Sequence, residues 1–295
     1  MNENDQYQFA NNVNTQLNHL ILEISRNSGY LARQEIDKLL DKIRADPRRL
    51  EQHGFKVYSQ NDEDGIITEI FDRLGIEKGT FCEIGIENGL ECNTLFLIHK
   101  GWKGIWLEGN QAQKEFITSK FNSILENKRL GLGIEHITPS NVNEVVSKYL
   151  SFIGCDSTEI DFLSIDIDGM DIYLLESVSF NPKVICIEYN SKFPPPVVKK
   201  PVLNESFIWD GSDYMGASLN AIEESANQKG YSLVGTNITG VNAFFIRNDL
   251  LKQKFAQSQT AALYNPPRYY LFTNHYQTLR NIGHPPSFGP YLDLS

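Results

Sequence analysis

Two short stretches end in side chains that could do chemistry together. One apolar run ends in Asp166 and Asp168 within "SIDIDGMD", and another ends in Glu188 and Asn190 within "ICIEYN". Residues i and i+2 of a β-strand face the same way. If the two runs are neighbouring parallel strands, four oxygen-bearing side chains converge at the carboxyl edge of one sheet, where α/β folds bind ligands.

Carboxylates this close raise one another's pKa values unless a cation or a substrate proton relieves them. Three interpretations follow. Asp166, Glu188 and Asn190 could bind Mg²⁺ or Mn²⁺ together with substrate hydroxyls and water. Asp166 or Asp168 could instead be the general base for an acceptor hydroxyl, without a metal. In the third interpretation, Asp168 and Gly169 only form a turn, and the Asp168 carboxylate accepts backbone hydrogen bonds.

A glycine turn lies earlier in the chain, in "TFCEIGIENGLECNT" at residues 80–94. It contains Gly85 and Gly89 but not the G-x-G-x-x-G spacing that places a pyrophosphate on a helix N-terminus. Glu83, Glu87 and Glu91 surround it. They would repel a pyrophosphate, because two like charges about 4 Å apart cost roughly 4 kcal/mol at an effective dielectric of 20.

A ligand with a positive centre suits this turn better. S-adenosylmethionine carries a sulfonium and an ammonium group and has no phosphate. Glu108 ends the next apolar run, in "GIWLEGN", and is placed to accept hydrogen bonds from both ribose hydroxyls. The alternative is that these acids only cap a helix and solvate a surface. The coincidence of a strand, a glycine turn and an acid-terminated strand favours cofactor binding.

These motifs lie in a regular alternation of strands and helices. Apolar runs predict strands at 81–85, 104–108, 131–136, 161–166 and 184–188, separated by helices near 90–100, 111–123, 141–151 and 170–178. This alternation is typical of βαβ units and a mostly parallel α/β sheet. After a helix at 217–229, "YSLVGTN" and "NAFFIRN" lie too close together for a crossover helix, so they should pair antiparallel.

Composition and the first residues narrow the class of protein. The 295 residues include 27 basic and 37 acidic ones, a net charge of −10, so the sequence predicts neither nucleic-acid nor membrane binding. No apolar run approaches the ~20 residues that cross a bilayer, and the N-terminus does not resemble a signal peptide. The four cysteines form no C-x-x-C pair, which predicts a reducing, cytoplasmic location.

The first 50 residues are predicted to be a helical extension. Apolar residues recur at helical spacing over residues 8–46, with an interruption near Asn27-Ser28-Gly29, so we expect two helices that pack on a partner or on the main domain. A homo-oligomer formed through these helices is one such arrangement. The main domain is placed at 51–250, and a tail at 251–295 is expected to pack on it.

The chain resembles class I S-adenosylmethionine-dependent methyltransferases, and in particular the FkbM-type family and its relatives in glycan and natural-product biosynthesis. The resemblance covers residues 57–247 and is carried by "YSQNDEDGII", "FCEIGIENGLECNT", "WLEGN", "FLSIDIDGMDIYLLESV", "VICIEYN" and "GASLNAIEESANQKGYSLVGTN". It implies a Rossmann-like sheet of seven strands with the last one antiparallel. It also implies cofactor contacts from Glu83, Gly85, Asn93 and Glu108, and a loop of Tyr58, Ser59 and Gln60 that closes over the cofactor.

The segment between Glu188 and the helix near Ala217 has no helical or strand rhythm. Such a long loop is often an active-site lid, and we call residues 191–215 the lid loop. Trp209 and Tyr214 could stack on a sugar, and Asp213 could accept hydrogen bonds from its hydroxyls. Three lysines, Lys192, Lys199 and Lys200, either suit a phosphate on the acceptor or form a solvated surface of a structural loop.

The sequence thus predicts methyl transfer from S-adenosylmethionine to a hydroxyl of a small polar acceptor such as a sugar, nucleotide sugar or glycan precursor. Asp166 or Asp168 would accept the proton of the acceptor hydroxyl. His275 and His284 are weaker candidates for this base. One alternative is N-methylation of a small phosphorylated amine. Others are a non-catalytic subunit that binds S-adenosylmethionine and a nucleotide-binding oxidoreductase.

Overall fold

The computed structural model describes residues 3–156, 160–273 and 281–294, and its centre is one seven-stranded sheet. The strands of this sheet are β1 (Thr80–Ile84), β2 (Lys103–Glu108), β3 (Leu130–Ile134), β4 (Ile160–Ile165), β5 (Val184–Glu188), β7 (Tyr231–Thr236) and β8 (Asn242–Arg247). A separate two-stranded ribbon consists of β6 (Lys199–Pro201) and β9 (Tyr291–Asp293).

Helices precede and connect these strands. They are α1 (Glu3–Asp41), α2 (Glu63–Leu74), α3 (Leu95–His99), α4 (Lys114–Lys120), α5 (Asn122–Glu126), α6 (Val142–Phe152), α7 (Asp171–Ser177), α8 (Leu219–Gln228) and α9 (Thr260–Leu263). Among the described residues, no helix combines the length and apolar character needed to cross a membrane.

The strand order in the large sheet is β3-β2-β1-β4-β5-β8-β7. All neighbours from β3 to β5 are parallel, whereas β8 is antiparallel to both β5 and β7. The predicted α/β sheet of seven strands with one antiparallel strand is therefore confirmed. The chain between β7 and β8 is too short for a crossover, so the two strands form a hairpin.

Both faces of the sheet are covered, as is usual for parallel strands. Alternate residues of the central strands enter two apolar cores. On one side, Leu163 and Ile185 pack with α6, α7 and α8, and on the other, Phe162 and Phe244 pack with α2 and α3. The two cores fix the strand ends against one another, so side chains just beyond those ends have defined neighbours.

The N-terminal extension is one helix rather than the two expected. α1 continues through Asn27-Ser28-Gly29, because one internal glycine costs only about 1 kcal/mol in a helix of 39 residues. Near its C-terminal end, Ala32 packs with Ile238 and Leu271. Its first thirty residues expose large apolar side chains, namely Tyr7, Phe9, Val13, Leu17, Leu20, Ile21, Leu22, Ile24 and Tyr30.

Candidate functional site

A cavity of about 680 Å³ opens at the carboxyl edge of the sheet, where β1, β2, β4 and β5 end. Within the described parts of the chain, its wall has no lysine or arginine. Its acidic wall residues are Glu83, Glu87, Glu91, Glu108, Asp166, Asp168, Glu188 and Glu205. The cavity therefore has an acidic wall and suits a ligand that is positive or rich in hydroxyls.

The two glycines of the turn allow close packing between strands. Gly85 has φ +81°, and a Cβ on it would lie 1.6 Å from the carbonyl oxygen of Asp166. Gly89 has φ +77°, and its Cβ would meet the Trp106 ring at 2.8 Å. Only glycine fits at either position, which is why the ends of β1 and β4 can adjoin at the cavity.

Glu83 organises the rest of the turn. Its carboxylate accepts hydrogen bonds from the backbone N–H groups of Asn93 (2.7 Å) and Thr94 (3.0 Å), and from the Thr94 hydroxyl. These bonds hold residues 93 and 94 ahead of the helix, so α3 begins at Leu95 and not near residue 90 as expected. The Asn93 amide donates to Ser164 Oγ at 3.0 Å, and both Glu83 and Asn93 line the cavity.

Glu83 should make the stability of the fold depend on pH. Burial raises its pKa from 4.5 to about 7, although the bonds from Thr94 and Asn93 act in the opposite direction. The folded chain then keeps a proton that the unfolded chain has lost. This stabilisation is complete below the unfolded pKa and is lost as the pH rises through about 7. We therefore expect the melting temperature to fall between about pH 5 and pH 8.

Glu83→Gln should make that fall smaller, because glutamine does not titrate. The exposed Glu115→Gln is the matched control and should leave the fall unchanged. Differential scanning calorimetry across this pH range measures the effect. A melting temperature in the unsubstituted protein that rises with pH would contradict this account of Glu83.

Glu108 lies in the cavity wall at the end of β2. One carboxylate oxygen accepts from the N–H of Ile86 at 3.1 Å and the other from the N–H of Asn110 at 2.7 Å. Each oxygen keeps a further lone pair for a ligand hydroxyl. Glu108 thus joins the glycine turn to the loop after β2 and presents an acceptor to the cavity.

The loop before α2 contributes less to the cavity than its sequence suggests. The carboxylate of Asp64 accepts from the N–H groups of Tyr58 (2.6 Å) and Ser59 (2.9 Å). The Tyr58 ring stacks on His99, with ring centroids 4.9 Å apart. Of the three predicted cofactor residues in this loop, Gln60 lines the cavity, whereas Tyr58 and Ser59 shape the loop.

Asp166, Asp168 and Glu188 meet at the cavity wall. One oxygen of each lies within 4.8 Å of the others. Burial, followed by the neighbouring carboxylates, raises the pKa values of Asp166 and Glu188, and the same causes raise that of Asp168 to about 7. Asp168 also has a left-handed backbone, with φ +55°. Uncommon conformations and shifted pKa values of this kind cluster at functional sites.

The turn after β4 is held by an acid that the sequence interpretation missed. The carboxylate of Asp171 accepts from the N–H groups of Ile167 (2.8 Å) and Gly169 (2.9 Å). The turn-forming role proposed for Asp168 therefore belongs to Asp171. Gly169 also brings the lid loop close, because a Cβ there would lie 2.5 Å from the Phe207 ring.

Asn190 is not among the residues that line the cavity. Its amide group donates to the carbonyl oxygen of Asp213 at 2.8 Å, and its oxygen accepts from the N–H of Lys192 at 3.2 Å. Its backbone N–H donates to the carbonyl oxygen of Ala217, so the pairing between β5 and β8 does not extend to residue 190. Asn190 therefore fastens the lid loop, and the structure does not place it with Asp166 and Glu188.

Trp209 is the predicted acceptor residue that lines the cavity; its indole N–H donates to the carbonyl of Ser212 at 2.7 Å. Asp213 instead accepts from Lys192 Nζ at 2.6 Å, and the Tyr214 hydroxyl donates to Pro290 at 2.8 Å. The His284 ring packs against Trp209. His275 lies outside the described residues.

The lysines of the lid loop do not form a phosphate site in this structure. Lys192 pairs with Asp213, and the other pairs are Lys199–Asp293 and Lys200–Glu176. None of the three lysines lines the cavity. The sequence interpretation also missed several wall residues, which are His136, Met170, Ile208 and Asn242.

Comparison with known proteins gives only remote structural similarities. No known family profile and no curated protein matches the chain. An S-adenosylmethionine-dependent methyltransferase from Clostridium acetobutylicum is similar at 12% identity, with 73% of this chain and 98% of that chain covered and a TM-score of 0.39. An O-methyltransferase family protein from Burkholderia thailandensis gives 6% identity, 61% and 54% coverage and a TM-score of 0.40.

A third solved structure is phosphoethanolamine N-methyltransferase 2 from Haemonchus contortus. It is 14% identical, with a TM-score of 0.34, and the match covers 56% of this chain but only 36% of that one. Because these identities are 14% or less and these TM-scores are below 0.5, we draw no conclusion about this chain from the three structures. The narrower resemblance to the FkbM-type family stays a prediction.

Proposed function

We propose that this chain is an S-adenosylmethionine-dependent methyltransferase that acts on a hydroxyl of a small polar acceptor. The observation that carries the proposal is the acidic wall of one cavity, which joins the glycine turn, Glu108 and the acidic cluster. A sulfonium and an ammonium group are stabilised there, whereas the pyrophosphate of a dinucleotide is repelled. The same wall argues against the oxidoreductase alternative.

Methyl transfer requires an in-line approach of the acceptor oxygen to the methyl carbon, at about 3 Å. The carbon–sulfur bond breaks as the carbon–oxygen bond forms, and the acceptor hydroxyl loses a proton. Asp168 suits the role of base, because its raised pKa of about 7 lies near the working pH. Asp166 and Glu188 would bind the acceptor directly or through a divalent cation such as Mg²⁺ or Mn²⁺.

The residues of the cavity wall also indicate whether the acceptor carries a phosphate. Because the lid-loop lysines are paired elsewhere, a phosphate on the acceptor has no lysine or arginine partner among the described wall residues. We therefore propose an unphosphorylated acceptor, such as a sugar. An amine is a second candidate, since the acidic wall favours an ammonium group, and it would be N-methylated after losing a proton.

Calorimetry tests the cofactor. We expect S-adenosylhomocysteine to bind and NAD not to bind; the reverse result would overturn the proposal.

Glu108→Ala should weaken the binding of S-adenosylhomocysteine by roughly 1.5–3 kcal/mol, because a charged acceptor of ribose hydrogen bonds is lost. Glu115→Ala, on the exposed surface, is the control. Unchanged affinity in Glu108→Ala would show that the ribose lies elsewhere.

The lid loop is proposed to cover the acceptor. Trp209→Ala should raise the KM for the acceptor about tenfold, since a buried aromatic contact is worth about 1–1.5 kcal/mol, and should leave the KM for S-adenosylmethionine nearly unchanged. Leu203→Ala is the matched control, because Leu203 is 46% exposed on the same loop and does not line the cavity. Steady-state kinetics with both substrates varied measures the difference. Equal KM values in the two variants would leave Trp209 with a structural role.

We also propose that α1 mediates self-association, as its exposed apolar side chains suggest. Val13, Leu17, Leu20, Ile24 and Leu31 are spaced by alternating three- and four-residue steps apart from a gap at Asn27, which is the coiled-coil period. Each of the five is more than a third exposed. Light scattering of the full chain would give the mass of a dimer or larger oligomer if a second copy covers this surface.

A further inference from the structure

Two residues that are paired across neighbouring strands each carry a buried oxygen without a hydrogen-bond partner. Glu188 ends β5 and is paired in register with Asn242, the first residue of β8. The two residues are only 4% and 3% exposed, and both line the cavity. Glu188 Oε2 and Asn242 Oδ1 accept no hydrogen bond. A buried acceptor left this way costs free energy unless a ligand satisfies it.

The direction of the Asn242 amide follows from its other partner. Asn242 Nδ2 donates to Glu63 Oε1 at 3.0 Å. The same carboxylate oxygen accepts from the side-chain amides of Asn237 (2.6 Å) and Asn61 (3.1 Å). Turning the Asn242 amide over would place its oxygen against the Glu63 carboxylate. Glu63 therefore keeps the nitrogen of Asn242 on its own side and leaves the oxygen to the cavity.

We propose that Asn242 Oδ1 is the fourth oxygen ligand of a divalent-cation site formed with Asp166, Asp168 and Glu188, and that Glu63 is the residue that orients it. Carboxylate and amide oxygens are the donors that hard divalent ions prefer. Ligand distances of about 2.1–2.5 Å put opposite oxygens about 4–5 Å apart, and the three carboxylate oxygens lie within 4.8 Å of one another.

This inference extends the proposed methyltransferase function in one respect. A cation held here would lower the pKa of an acceptor hydroxyl and orient it toward the methyl donor, and Asp168 would then act as a ligand, in place of its role as base in the reaction without a metal. Cation binding itself depends only on the four side chains and can be measured without the methyl donor. In this site Asn242 takes the place of Asn190, the ligand predicted from the sequence, because the Asn190 side chain donates to Asp213 in the lid loop.

The test is a titration of the full chain with Mn²⁺, in which free Mn²⁺ is followed by electron paramagnetic resonance. We expect binding to the unsubstituted protein and at least about tenfold weaker binding to Asn242→Ala. Asn190→Ala is the matched control, as another buried asparagine near the end of β5, and should keep the Mn²⁺ affinity. Thermal unfolding without metal checks that both variants are folded. Equal affinities in Asn242→Ala and the unsubstituted protein would overturn the assignment.

A second measurement needs no variant. In crystals of the unsubstituted protein soaked in Mn²⁺, the anomalous peak should lie about 2.2 Å from Asn242 Oδ1 and from Glu188. A peak bound by the carboxylates but beyond bonding distance of Asn242 would overturn its role. Absence of Mn²⁺ binding in a protein that binds S-adenosylhomocysteine would overturn the cation site and leave the methyltransferase proposal intact. A protein that binds Mn²⁺ but not S-adenosylhomocysteine would overturn the methyltransferase proposal and leave the cation site intact.

Discussion

Asp168→Asn should lower kcat by about 10²–10⁴-fold, the usual contribution of a general base, and Asp166→Asn should have an effect of similar size. Affinity for S-adenosylhomocysteine should stay within a few-fold, because the two acids act on the acceptor. Both substitutions should leave the melting temperature unchanged or raise it. Burial and like charges raise the pKa values of these groups, so removing a charge relieves a cost to the folded state.

The measurement is turnover with labelled methyl donor, on an acceptor found by screening sugars, nucleotide sugars and free amines. Asp210→Asn, an exposed acid-to-amide change in the lid loop, is the control and should keep full turnover. Full turnover in Asp166→Asn and Asp168→Asn would remove both acids from the mechanism. Loss of turnover together with a lower melting temperature and lost cofactor binding would indicate a folding defect.

Gly85→Ala should destabilise the fold by about 2–5 kcal/mol and abolish S-adenosylhomocysteine binding. An alanine in the left-handed region costs about 1–2 kcal/mol, and steric overlap in a packed region adds about 1–3 kcal/mol. The overlap is specific to this site, because the new Cβ would lie 1.6 Å from the carbonyl oxygen of Asp166. The ends of β1 and β4 would have to separate at the cavity.

Gly230→Ala is a matched control for backbone conformation. Gly230 has φ +84°, close to the +81° of Gly85, but a Cβ there would meet nothing within 4 Å. It should therefore lose only the backbone contribution of about 1–2 kcal/mol and keep its ligand affinity. Urea unfolding and calorimetry give the two quantities. Equal losses of stability in the two variants would show that close packing at Gly85 is unimportant.

Much of the architecture followed from local patterns in the sequence. The alternation of apolar runs and helical segments predicted the parallel strands, and the short gap between "YSLVGTN" and "NAFFIRN" predicted the antiparallel hairpin. Both depend on neighbouring residues only. The convergence of Asp166, Asp168 and Glu188 was predicted only on the condition that their strands are neighbours, and the structure pairs β4 with β5.

Predictions from local sequence patterns were wrong for residues that follow the end of β5. Because residues i and i+2 of a strand face the same way, Asn190 was predicted to lie beside Glu188. In the structure, the backbone N–H of Asn190 donates to Ala217, and its side chain donates to Asp213 in the lid loop. Similarly, the lid-loop lysines resembled a basic cluster in the sequence. They found separate acidic partners as far away as Asp293, which local spacing does not reveal.

Only the tertiary structure decided the partners that come from distant segments. Asn242 faces Glu188 because β8 pairs with β5, and its amide is oriented by Glu63, 179 residues away. The direction of a buried amide depends on which neighbour accepts and which donates, and those neighbours come from three separate parts of the chain. The sequence by itself determined the sheet, its acid-bearing edge and the glycine turn; tertiary hydrogen bonding decided which oxygens remain available to a ligand.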